Sequence, residues 1–160
     1  SKSCLQKDGP AAGFYESIGA HIEEVSLVTP MRIAQEWIAQ QDSKFDATTS
    51  AFTMSDTAHV DEAYEFVFTN LAMQTTQFLM DGVNYNVKTD PGAQKRQYLI
   101  MSNFVMSSAT SFEKFAMEVE NIIQALPTVR DKVQIACLHP EHIHEDKRSP
   151  VPVFILQWKD

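Results

Sequence analysis

The run Tyr98-Leu99-Ile100-Met101 is apolar without interruption and stops after four residues. A strand with one wet face alternates apolar and polar side chains, so a short unbroken run marks a strand buried on both faces. We place this strand within 97–105. A strand of that kind has to be covered, and the rest of the chain supplies amphipathic helices for the purpose. Phe14, Ile18, Ile22 and Val25 recur at spacings of four, four and three, which predicts a helix within 11–25, weakened by Gly13 and Gly19. Thr29 before Pro30 has the chemistry of an N-cap with proline in the first turn, and Ile33, Ala34, Trp37 and Ile38 form the buried face of a helix over 30–41. The polar stretch 42–50 is a connection, and Ala51 to Met54 is a short strand.

Ser55, Asp56 and Thr57 then offer capping groups to the longest helix, whose stripe is Val60, Tyr64, Val67, Leu71 and Phe78. Asp61 and Glu62 suit the positive end of its dipole, and Gly82 is placed to end it. Thr89-Asp90-Pro91-Gly92 marks an exposed turn in a loop over 84–96. Thr110-x-x-Glu113 reads as a capping box. Phe112, Phe115, Ala116, Val119, Ile122, Ile123 and Leu126 follow on one helical face, and Pro127 stops it. Val133, Ile135 and Cys137 alternate with Gln134, Ala136 and Leu138 as a strand. A last strand runs from Val151 to Trp158, with Pro152 at its beginning or on an edge.

Strands alternating with helices make βαβ units, and the final two strands pair antiparallel around a loop. The fold class is therefore α/β: a layered sandwich, a small mixed β-sheet with helices packed over it, plus two N-terminal helices. A chain of 160 residues fits a single domain, 1–160, in which 1–10 is a flexible arm containing Gly9 and Pro10. Hydrophobic content of 44% with 21% charged residues is enough for a packed core. The net charge of −8 argues against a nucleic-acid partner, since backbone binding needs clustered Lys and Arg. Apolar runs such as 98–101 and 153–156 fall short of the roughly 20 residues that span a bilayer, so a soluble protein with no membrane partner is expected. The only cysteines, Cys4 and Cys137, read as reduced thiols in an intracellular reducing compartment. The chain begins at Ser1 without a methionine, which points to an upstream piece that was processed or deliberately cut away. A targeting signal would have lain there, so localisation and oligomeric state stay open.

From about 55 to 157 the chain resembles an uncharacterised, mainly bacterial family known as a domain of unknown function. The residues that carry the likeness are the SDxxxxxEA stretch from Ser55 to Ala63, Ser111-Phe112 before the second long helix, VQIACLHPE (133–141) and RSPVPVFIL (148–156). The family's own pattern is VQVASFHP, a short variable loop, then RSPYP and an LHLL strand. His139, Pro140, Arg148, Ser149, Pro150 and Pro152 match it position by position. A Cys-Pro-Phe-Ala segment and an NYTN-like stretch of the family are absent from the matching places, so an activity resting on that cysteine does not carry over. The resemblance implies kinship of fold and leaves the activity open.

Chemistry concentrates in 139–149. His139, His142 and His144, with Glu141 beside them, are ligand types that a divalent transition metal accepts. In an extended segment His142 and His144 share a face and Glu141 or Glu145 adds an oxygen. The alternative is a hydrophilic loop between strands that carries exposed histidines. Arg148 and Ser149 are candidate anion ligands, with His139 across the loop completing a small binding site. The alternative there is an ion pair of Arg148 with Glu145 or Asp146. Cys137 reads as an inert small hydrophobe, and Lys95, Arg96, His21 and His59 as solvated or capping residues. No Gly-rich phosphate loop, nucleophile elbow or CxxC occurs. These readings point to a small-ligand (anion) binding or protein-interaction module that needs no cofactor, with a small anionic ligand or a protein as partner. A metal-dependent hydrolase using the 139–149 loop is the alternative, and whether the chain is an enzyme stays open.

Overall fold

The computed structural model describes residues 29–79 and 94–159. The expected arm at 1–10, the helix at 11–25, Gly82 and the turn at 89–92 lie outside the described residues. Helix α1 spans Pro30–Gln41, and the Thr29 hydroxyl accepts the Arg32 N–H at 3.3 Å, as the Thr-Pro pair predicts. Strand β1, Ser50–Ser55, leads to helix α2, Val60–Leu79. Strand β2 covers Arg96–Met101 with all six residues buried. Helix α3 runs over Ala109–Gln124, strand β3 over Val133–Leu138, and a 3₁₀ turn at Glu145–Lys147 precedes strand β4, Val153–Trp158.

The sheet order is β1-β2-β4-β3, with β1 and β2 parallel and β4 antiparallel to both β2 and β3. This is the mixed α/β sheet that the sequence predicts. Its two central strands distribute their side chains to opposite layers, because successive Cβ atoms point to opposite faces. Tyr98, Ile100, Val153 and Ile155 pack with Ala34 and Ile38 of α1. Leu99, Met101, Phe154, Leu156 and Trp158 pack with Val67, Leu71 and Phe78 of α2 and with Phe112, Phe115, Val119 and Ile123 of α3. Among the described residues, one helix therefore covers one face of the sheet and two cover the other.

Three details depart from the expected pattern. The cap of α3 is Ser108, whose hydroxyl accepts the Ser111 N–H at 3.1 Å, so Thr110 lies within the first turn and is exposed. The buried stripe of α2 is Ala63, Val67, Asn70, Leu71, Gln74 and Phe78, while Val60 is 53% exposed. Two polar residues thus occupy core positions. Asn70 is satisfied locally by the Phe66 carbonyl at 2.8 Å, and Gln74 Nε2 reaches across to the Lys95 carbonyl at 3.0 Å. Third, Arg96 is buried, contrary to its reading as a solvated or capping residue. Its guanidinium donates to Tyr98 Oη at 2.6 Å, Gln157 Oε1 at 2.9 Å and Asp42 Oδ2 at 2.9 Å. Asp42 caps the C-terminus of α1, so this cluster fastens the helix to β2 and β4.

Candidate functional site

The loop between β3 and β4 holds the residues singled out by the sequence, and His139, His142, Arg148 and Ser149 turn polar atoms to the backbone. His139 is 1% exposed, with Nε2 2.8 Å from the Val105 carbonyl and Nδ1 accepting the Glu141 N–H at 3.0 Å. An N–H donated on one side and a lone pair used on the other describe a neutral imidazole with both nitrogens engaged. The ring lies 5.6 Å from that of Phe112. His142 Nδ1 accepts the His144 N–H at 2.9 Å, and the two imidazole centroids are 5.5 Å apart. His144 and Glu141 are exposed. Among the described residues, no three or more His, Cys, Asp or Glu side chains gather in a way that would hold a metal ion.

Arg148 donates from Nε to the His142 carbonyl at 2.7 Å and from Nη2 to that of Ile143 at 3.4 Å. Ser149 is buried, and its hydroxyl donates to the Val151 carbonyl at 2.5 Å. His139, Arg148 and Ser149 each bond to a different stretch of backbone, at Val105 and Glu141, at His142 and Ile143, and at Val151. Cys137 behaves as read: burial pushes its thiol up to about 12, and Glu113 nearby adds to the shift, so the thiolate is disfavoured at neutral pH.

The contact from His139 leads to a concave site that the sequence does not announce. A cleft of about 510 Å³ lies between the first turns of α2 and α3, lined by His59, Val60, Tyr64, Phe104, Val105, Ser111, Lys114, Phe115 and Glu118, with Ala58 at its edge. It sits where β1 and β2 end, the place where α/β sheets bind ligands, because the chain diverges there into separate helices. Its floor is aromatic: the Phe115 ring is 4.8 Å from Tyr64 and 4.9 Å from Phe104. Lys114 and His59 stand exposed on its rim. Val105 on the wall has φ 44, the left-handed region that a β-branched residue avoids at a cost of about 1–3 kcal/mol. Nothing in Asn103-Phe104-Val105-Met106 signals this, since a glycine or asparagine would be the usual occupant. The Val105 carbonyl accepts the Ser108 N–H at 3.1 Å and meets His139 Nε2 at 2.8 Å.

No family model, curated protein or solved structure matches this chain. Among the described residues, no helix is long and apolar enough to cross a membrane.

Proposed function

We propose that the chain is a small-ligand binding module whose site is the cleft between α2 and α3. The ligand class that fits is a flat apolar body bearing an anionic group. The body would lie against Tyr64, Phe104 and Phe115, and Lys114, with His59 and the Ser111 hydroxyl nearby, would meet the charge. The observation that carries this reading is Val105. A β-branched residue at φ 44, its carbonyl shared by the Ser108 N–H and a buried histidine, is strain located at a concave surface, which is where strain serves to shape a site. His139 acts here through Val105 as a positioning residue.

The probe is 1-anilinonaphthalene-8-sulfonate, an aromatic anion, titrated against the whole chain. Saturable binding is expected, weakened about tenfold in Lys114→Glu, with near-UV circular dichroism unchanged. Binding that is non-saturable, or that is indifferent to Lys114→Glu in a native fold, overturns the reading. We also infer that the kinship with the uncharacterised bacterial family is one of fold. His139, Arg148 and Ser149, which carry the likeness, hold the β3-β4 loop closed. The metal-dependent hydrolase reading would require His139 to free one ring nitrogen, either Nε2 from the Val105 carbonyl or Nδ1 from the Glu141 N–H.

A further inference from the structure

A second surface lies on the other side of α2, along β1. Among the described residues β1 pairs only with β2, so its outer edge carries unpaired backbone groups. Native edge strands are usually protected by charges, proline or a bulge, and Ser50-Ala51-Phe52-Thr53-Met54-Ser55 has no charged residue and no proline. Between this strand and α2 runs a groove of about 570 Å³, lined among others by Thr53, Ser55, Asp56, Glu62, Glu65 and Met73. A smaller depression of about 260 Å³ shares Thr53, Asn70 and Met73 and extends the groove past Ala51 to Gln97. The lining includes three carboxylates and no Lys, Arg or His. Met73, 63% exposed, offers an apolar contact between the acidic and the amide-lined ends.

We propose that this groove takes an extended, basic peptide segment of a partner protein as an added strand on β1. Main-chain pairing with the free edge supplies affinity, since an edge of six residues, about 20 Å long, can accept a strand of similar length. Alternate side chains of the peptide then point towards α2. Lysine or arginine there meets Glu62, Glu65 and Asp56, and an apolar residue meets Met73. Glu62 also touches the Thr57 hydroxyl, which orients its carboxylate at the groove mouth. Charge decides against a second copy as occupant, because each chain carries a net charge of −8. The surface is separate from the cleft of the proposed ligand site, and the inference does not depend on that reading.

The test uses the whole chain and a fluorescein-labelled octapeptide of alternating lysine and valine, followed by fluorescence anisotropy. Two controls are a glutamate-valine counterpart and a lysine-valine peptide N-methylated at alternate amides. The lysine-valine probe should bind, weaken about tenfold in Glu65→Gln and again in Glu62→Gln, and shift the amide resonances of residues 50–55. The glutamate and N-methylated probes should not bind. Failure of the first probe to bind, equal binding of either control, or indifference to both substitutions overturns the proposal. So does sedimentation showing a dimer of the unliganded chain that Thr53→Lys dissolves, since the edge would then be occupied by a second copy.

Discussion

A guanidinium removed from water at Arg96 is tolerable only because each of its three nitrogens donates to a partner, and the sharpest of these is Asp42. Burial alone would push the Asp42 carboxyl up. Hydrogen bonds from Tyr98 Oη, the Lys44 N–H and Arg96, together with the Arg96 charge, outweigh that and hold it below the usual carboxylate range. The same surroundings raise the Tyr98 phenol, first through burial and then through its bond to Asp42. A carboxyl depressed in the folded state contributes stability that is present above its unfolded value, near 3.9, and is lost as pH falls through its lower folded value. Asp42→Asn should therefore destabilise the chain by about 3 kcal/mol at pH 7, because it leaves Arg96 buried without its counter-charge. Below about pH 3 the difference from the parent should shrink. Urea unfolding at the two pH values measures both, and an equal loss at each would show that Asp42 acts through packing alone. Neither residue looks buried in the sequence. Asp42 opens a polar connection and Arg96 stands at a strand entry, and only the parallel pairing of β1 with β2 and the position of α1 bring them together.

The loop joining β3 to β4 contains one 3₁₀ turn and is fastened by backbone and side-chain bonds to its own main chain. His139 N–H donates to the Lys147 carbonyl at 3.1 Å, Arg148 closes on the His142 carbonyl, and the His142 ring accepts the His144 N–H. Desolvation holds the His142 imidazole below its usual range, with Lys147 and His144 adding to the shift and Glu113 and Asp146 opposing it. A histidine depressed in the folded state stabilises fully above its unfolded value, near 6.5, and that stability is lost as pH falls from there towards the lower folded value. Protonation at Nδ1 would also abolish the acceptor for the His144 N–H. Between pH 7 and pH 5 the hydrogen-exchange protection of amides 142–148 should fall by about fivefold while β3 and β4 stay protected, and His142→Gln should remove the pH dependence. Protection that does not change with pH would show that the ring plays no part in closing the loop. Elements held by near neighbours are legible in the sequence: α1 from Thr29-Pro30 and its stripe, β2 from its unbroken run, β3 from its alternation. The roles of the loop histidines are not, because the partner of His139 lies 34 residues away at Val105 and no spacing rule connects them. The T-x-x-E reading of α3 misses for a related reason: Ser108 and Thr110 both offer a capping hydroxyl, and the turn that follows β2 selects the earlier one.

At the scale of the molecule, the order β1-β2-β4-β3 places β4 between strands that precede it in sequence, a choice made by contacts far apart in the chain. Its consequence is mechanical. β2 and β4 send alternate residues into both apolar layers, so neither layer can loosen without moving the strands that hold the other. The chain has two tryptophans, and they report on opposite layers: Trp37 packs beside Ala34 and Ile38, and Trp158 stacks on Phe78 at 5.2 Å. Trp37→Phe and Trp158→Phe variants each leave one reporter. If the shared strands couple the layers, both reporters should give the same urea midpoint once the cost of each substitution is referred to far-UV circular dichroism of the same variant. Ile155→Val provides the perturbation. It trims the layer under α1 and should cost about 1 kcal/mol, and that loss should appear equally at Trp158 on the opposite face. A shift seen at Trp37 and not at Trp158 would mean that the layer under α1 melts by itself. The cleft between α2 and α3 would then be indifferent to the state of α1, whereas coupled layers make its shape depend on every helix that the sheet carries.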